Sequence, residues 1–212
     1  MSKEKGTIRL TWLGHSCFRL ECGGHSAVID PYREVPGYPP LHVEAGEVFK
    51  SHDHDDHGWV QAVTLVEEPG ESPFKVTTEA CWHDEKGGSL RGSNLITIFE
   101  AEGLRIAHFG DIGHQPGPEL AEKLKGLDAA LIPVGGFYTI DGAAAFELMN
   151  TIDPVVTIPM HFRRGACGFD VISEPEAFTG MVKDRPVVEA GTDSIDISGD
   201  SEKSVVVLKF MG

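Results

Sequence analysis

The chain has 212 residues, 41% hydrophobic and 24% charged, and carries a formal net charge of −15 from 18 basic and 33 acidic side chains. This length predicts a single domain over 1–212 with a sizeable core, and the composition excludes intrinsic disorder. So acidic a balance excludes a broad DNA or RNA surface, because nucleic-acid binding depends on Lys and Arg displacing counterions.

The start, Met1 to Gly6, precedes no apolar run that reads as a leader, and no stretch reaches the ~18 apolar residues of a membrane span. Ile8 to Trp12 alternates apolar and polar residues, as a half-buried strand does. Cys17 to Glu21 and Ser26 to Asp30 read as strands joined by a Gly23-Gly24 hairpin turn. Residues 31–44 hold four prolines and read as a loop. Gly46 to Ser51 is a short strand leading into a His/Asp cluster. Phe74 to Trp82, Leu95 to Glu100 and Leu104 to Phe109 read as strands. Pro118 to Lys125 reads as a helix, Ala129 to Val134 as a buried strand, and Asp141 to Met149 as a helix capped by Asp141. Val155 to Ile158 is a strand, Glu174 to Lys183 an amphipathic helix, and Ser204 to Phe210 a closing strand. Cys17, Cys22, Cys81 and Cys167 form no C-x-x-C pair, so free thiols and a cytoplasmic setting are expected.

The chemistry concentrates in Ser51-His52-Asp53-His54-Asp55-Asp56-His57, with three His and three Asp in seven residues. A solvated acidic loop accounts for the aspartates but not for the spaced histidines. Buried imidazoles and carboxylates are costly unless paired or bound to metal. In extended backbone His52 and His54 point to one side and can share a metal. A helix starting at Asp56 and His57 would aim these two at a second metal. Mixed imidazole and carboxylate donors suit zinc first, with manganese or iron as alternatives.

His52-x-His54-x-Asp56-His57 resembles the H-x-H-x-D-H signature of the metallo-β-lactamase superfamily. The superfamily's remaining ligand motifs have counterparts in order: His83 after a strand, Asp111 in Phe109-Gly110-Asp111, and His161 in Pro159-Met160-His161. Trp12-Leu13-Gly14-His15-Ser16, Val28-Ile29-Asp30-Pro31 and Val134 to Thr139 are similar to its short branch that includes ascorbate-6-phosphate lactonase. The resemblance implies an α/β fold, an αβ/βα sandwich of two mixed sheets flanked by helices. It also implies two divalent ions, one on His52, His54 and His83 and the other on Asp56, His57 and His161, bridged by Asp111.

Other residues leave alternatives open. Asp30 either orients a ligating imidazole or satisfies local backbone, and His15 either does the same or touches substrate. Tyr138 is either a hydrogen-bond donor to a developing oxyanion or an ordinary loop tyrosine. Lys86, Arg91, Arg163 and Arg164 lie near the motifs; Arg163 or Arg164 either grips a phosphate or carboxylate or is surface charge. Asp53 and Asp55 read as solvated or supporting residues, and His108 as a packed core histidine. His114 reads equally as a cleft or loop residue, and His25 and His42 receive no role.

The implied function is metal-dependent hydrolysis of a small ester, lactone or amide, phosphorylated substrates included, by a metal-bridged hydroxide, with Asp56 and Asp111 as the catalytic carboxylates. A phosphodiesterase acting on a nucleotide or phospholipid head group is the alternative, and a non-catalytic metal-binding module a third reading. The expected partner is a small-molecule substrate, with no large nucleic acid and no membrane. With little length for a cap, the site is either open or closed by a second subunit of a homo-oligomer. No G-x-S-x-G nucleophile elbow and no dinucleotide fingerprint is present.

Overall fold

The computed structural model describes residues 5–67 and 69–211; the start of the chain, where no leader was read, lies mostly outside them. β1 (Thr7–Gly14), β2 (Cys17–Cys22) and β3 (His25–Ile29) form an antiparallel meander. β1 buries alternate residues, as its sequence pattern predicts. Gly23 and Gly24 supply the positive φ of the β2–β3 turn. β4 (Val43–Ala45) and β6 (Val63–Leu65) pair as a small parallel ribbon, and β5 (Glu47–Phe49) joins β3 in parallel.

β7 (Lys75–Trp82), β8 (Ser93–Ala101) and β9 (Leu104–His108) form a second meander. From β9 the sheet continues in parallel through β10 (Ala129–Pro133) and β11 (Val156–Met160). Between them run α1 (Pro118–Lys123) and α2 (Gly142–Ile152), with Asp141 accepting from the Ala144 N–H at 2.9 Å as its cap. The short α3 (Glu176–Thr179) precedes β12 (Val187–Glu189), β13 (Ser194–Ser198) and β14 (Ser204–Val207).

The first sheet therefore has the order β13-β1-β2-β3-β5, and the second β12-β14-β11-β10-β9-β8-β7. Every residue of β10 and β11 is buried, as expected of parallel strands covered on both faces. The two sheets pack face to face over one core, where Phe49 of the first meets Phe99 of the second at 5.3 Å between rings. This is the sandwich of two mixed sheets, with helices between strands, that the motif resemblance implies.

Three local expectations differ. The predicted helix over 174–183 shrinks to the single turn α3, because Gly180 follows it and turns suffice to bury Phe178 and Val182. No helix begins at Asp56, and residues 51–54 are bends, not extended chain. The His54 carbonyl instead accepts from both the His57 and Gly58 N–H groups, closing a tight turn. β4, β6, β12 and β13 have no counterpart in the sequence reading. Among the described residues all four cysteines are free thiols, and no helix is long and apolar enough to cross a membrane.

Candidate metal centre

The site residues follow the ends of alternate strands. His15 comes after β1, Asp30 after β3, the 51–57 segment after β5, His83 after β7, Asp111 after β9 and His161 after β11. His15, Asp30 and His161 each take a left-handed backbone, with φ of 52°, 53° and 52°. Such conformations are rare outside glycine and persist where surrounding structure holds them. Here they turn the chain at the strand end and aim the side chain into the gap between the sheet edges.

Three overlapping groups of donor atoms form there, each with its atoms within 4.8 Å of one another: His52, His54 and His83; His15, Asp56, His57 and His161; and His52, His57 and Asp111. Asp111 joins them. Its Oδ1 lies 3.2 Å from His57 Nε2, and its Oδ2 lies 3.2 Å from His83 Nε2 and 3.3 Å from His161 Nε2.

A supporting network fixes the imidazoles. The Asp30 carboxylate is wholly buried and accepts from Ser51 N at 2.6 Å, Ser51 Oγ at 2.7 Å and His57 Nδ1 at 2.8 Å. Because Ser51 Oγ gives its hydrogen to Asp30, it accepts from His52 Nδ1 at 2.9 Å. Both histidines thus keep a proton on Nδ1 and face Nε2 inward. His108, expected to be a core histidine, accepts from Gly110 N and donates Nε2–H to the Ser16 carbonyl at 2.8 Å.

Asp111 is set by Asn94, a residue the sequence reading missed. Asn94 is fully buried, donates to the Phe109 carbonyl at 2.9 Å and accepts from Asp111 N at 2.9 Å. Asparagine is depleted in strand interiors, so its place in β8 was the available signal. Between them Gly110 has φ +52°, and a Cβ there would collide with Asn94 Oδ1 and the Ser51 side chain. Asp84, also missed, is buried beside His83 and accepts from the N–H groups of Lys86, Gly88, Leu90 and Arg91 at 2.8 to 3.0 Å, which shapes the 84–92 loop.

Burial and charge act together on these groups. Burial opposes the charge of Asp111, but His161 and His57 outweigh it and hold the carboxyl well below its usual range. Asp30 and Asp56 are likewise held down despite burial, chiefly by His57. Burial pushes His52 down to about 3 and His15 down to about 4. His57 goes up, against its burial, because Asp111, Asp30 and Asp56 surround it.

The donor set fits divalent metal ions. His52 Nε2, His57 Nε2, Asp111 Oδ1 and both ring nitrogens of His161 are buried without a hydrogen-bond partner among the described residues. Polar atoms enclosed in this way are costly unless something satisfies them.

A cleft of about 340 Å³ opens over this centre and is lined in part by His54, Asp56, His83, Asp111, Arg91 and Tyr138. Tyr138 therefore reaches the cleft. His15 is fully enclosed and does not line it, which favours a supporting place over substrate contact. Arg163 and Arg164, read as possible anion grips, are taken up by carboxylates instead: Arg163 by Glu174 at 3.3 Å, Arg164 by Glu189 at 2.9 Å and Glu176 at 3.2 Å. Asp53 pairs with Lys50 and Asp55 with Arg33 on the surface. His114 is satisfied by Trp82 N and the Gln115 carbonyl.

Residues 9–161 match the pattern of the beta-lactamase superfamily domain. The chain belongs to the metallo-β-lactamase superfamily. A UPF0173 metal-dependent hydrolase of Caldivirga maquilingensis is 27% identical over 209 residues, covering 82% of this chain and 89% of that one. A Thermotoga maritima structure, assigned to the Zn-dependent hydrolases of the superfamily, is 27% identical with a TM-score of 0.70, covering 95% of this chain and 100% of that one. A metallo hydrolase of Ignicoccus hospitalis shares the fold at 21% identity and a TM-score of 0.65, covering 90% of this chain and 98% of that one. Superfamily membership and these relatives place the chain among metal-dependent hydrolases.

Proposed function

We propose that the chain hydrolyses a small ester, lactone or amide, phosphorylated substrates included, with His52, His54 and His83 holding one divalent cation, Asp56, His57 and His161 a second, and Asp111 spanning both. The observation that carries this reading is the position of Asp111, whose two oxygens reach imidazoles of both sets. Zinc suits these nitrogen and oxygen donors first, with manganese or iron as alternatives. When bound, such a pair polarises the substrate's electrophilic group and makes a water acidic enough to lose its proton near neutral pH.

The chain's own groups then have separate tasks. Asp56 lines the cleft and is held ionised, so its carboxylate can accept a hydrogen bond there and orient a water. His15 Nε2, fully buried, lies 3.4 Å from Asp56 Oδ2. Asp30 and Ser51 hold a proton on the outward nitrogens of His57 and His52, which leaves Nε2 of each to face the centre. Tyr138 borders the cleft, where its hydroxyl can donate to a developing oxyanion. The motifs around His15, Asp30 and Tyr138 support the short lactonase-like branch, and a cleft of this size suits a small molecule.

The test is elemental analysis of the purified chain with turnover of a lactone and ester panel beside bis-p-nitrophenyl phosphate. About two metals per chain with lactone or ester hydrolysis are expected. Phosphodiester cleavage alone would replace this substrate class, and metal uptake without turnover on either panel would leave only a binding module.

A further inference from the structure

Among the chain's eight arginines, seven lie 2.8 to 3.4 Å from a carboxylate. Arg91 is the exception among the described residues, and it is the arginine that lines the cleft. In a chain with 33 acidic and 18 basic side chains, cations find partners easily, so an unpaired guanidinium needs a reason.

Its surroundings hold it without neutralising it. The Arg91 Nη2 donates to the Phe137 carbonyl at 2.9 Å, and the guanidinium carbon lies 5.9 Å from the centre of the Tyr138 ring. The Arg91 backbone N–H is bound by Asp84 at 2.8 Å. The Asp84 carboxylate lies nearby in sequence, but it is occupied by four backbone N–H groups and makes no ion pair with the guanidinium. Nε and Nη1 of Arg91 have no protein acceptor among the described residues. The result is a fixed fork with free donors, the geometry that suits a carboxylate or phosphate group.

The same cleft also has acidic lining from Glu34 and Asp55. These two, with Phe169, continue into an adjoining hollow that Arg91 and Tyr138 do not line. Arg33 also lines that hollow, but it is paired with Asp55 at 3.4 Å, so Arg91 is the arginine at the cleft that keeps its charge free of a carboxylate.

We propose that Arg91 is the specificity-determining residue of the cleft and that the substrate carries an oxyanion group, carboxylate or phosphate, which docks on it at the Tyr138 end. The inference rests on the cleft being the reaction site. It makes the substrate a compact anion with a second, hydrolysable group over the His/Asp centre.

The test uses calorimetric titration of the full chain, as metal-loaded and as chelator-treated protein. The probes are dicarboxylates from succinate to pimelate and monocarboxylates of the same length, with ω-phosphonocarboxylates as the phosphate arm. At least one dicarboxylate or phosphonate should bind wild type about tenfold or more tighter than its monocarboxylate, as a charged hydrogen bond implies. Whichever arm binds tighter identifies the group. R91Q should erase the preference, R91K should keep part of it, and R163A, which alters an exposed pair outside the cleft, should keep all of it. Equal binding of each pair by wild type, or a preference that survives R91Q, overturns the proposal. Failure to take up metal sinks the hydrolase reading separately, since the Arg91 preference is still read in the chelated protein.

Discussion

The two halves of the centre use the same residue types and are built differently. In one half His15, His57 and His161 have no exposed surface, and His57 is bound directly by the buried carboxylate of Asp30. In the other half His83 is buried but His54 is exposed and His52 half-buried, and His52 reaches Asp30 only through Ser51. His57 Nε2 and both ring nitrogens of His161 are enclosed without a protein partner among the described residues, as are His52 Nε2 and His83 Nδ1 in the other half, whereas His54 is exposed. A cation therefore relieves more unsatisfied polarity in the enclosed half. Both halves reach the cleft, one through His54 and His83 and the other through Asp56, and the open half should be the more exchangeable of the two. Burial, more than ligand identity, sets the order in which the halves should fill.

Three substitutions break that comparison, from the largest effect to the smallest. Asp111→Asn removes one of two anionic oxygens shared by both halves and should release both cations. The loss should exceed the roughly 10–100-fold that losing a supporting partner costs. Retention of two tightly held metals by elemental analysis would refute the spanning role. His54→Ala should cost the open half its cation, leave about one metal per chain and abolish turnover. Two metals and wild-type turnover would show that the halves are not distinct. Asp30→Asn places an N–H₂ where His57 Nδ1 and Ser51 Oγ need an acceptor. His57 must then move its proton to the inward nitrogen, so chelator competition should read a roughly 10–100-fold weaker enclosed site. Weakening confined to the open half would reverse the assignment.

Much of this was legible in the sequence because the residues of each half follow strand ends. The seven-residue cluster stands out by composition, and His83, Asp111 and His161 by their resemblance to the superfamily's motifs, each where an apolar run stops. The strands of both meanders were read for the same reason. What was not legible depends on partners distant in the chain. Asn94 is a single polar residue within β8, and its purpose appears only when Asp111 arrives beside it. Arg163 and Arg91 look alike in sequence, and only folding brings Glu174 to one and leaves the other open. A helix at Asp56, one way to aim Asp56 and His57 at a common point, is replaced by a tight turn in which the His54 carbonyl accepts from the His57 and Gly58 N–H groups. A regular helix spreads side chains at fixed angles. The three-residue strands β4, β6 and β12 are too short to show a period.

Ser51 gives the smallest effect and the sharpest view of the asymmetry. It belongs to the cluster by sequence, yet it binds no metal in this reading; it passes Asp30's influence to His52. Ser51→Ala deletes one hydroxyl and leaves the Asp30 contacts to Ser51 N and His57 in place. His52 Nδ1 loses its acceptor, so the proton is no longer confined to that nitrogen. The enclosed half keeps its direct carboxylate contact. Metal titration should therefore show the open site weakened by about tenfold, at the low end for a supporting group, and the enclosed site unchanged. The hydroxyl's net contribution to fold stability should be about 0.5–1.5 kcal/mol by denaturant unfolding of the metal-free chain. Equal weakening of both sites would mean that Asp30 and Ser51 act on the centre as one unit, and that the halves differ in exposure alone.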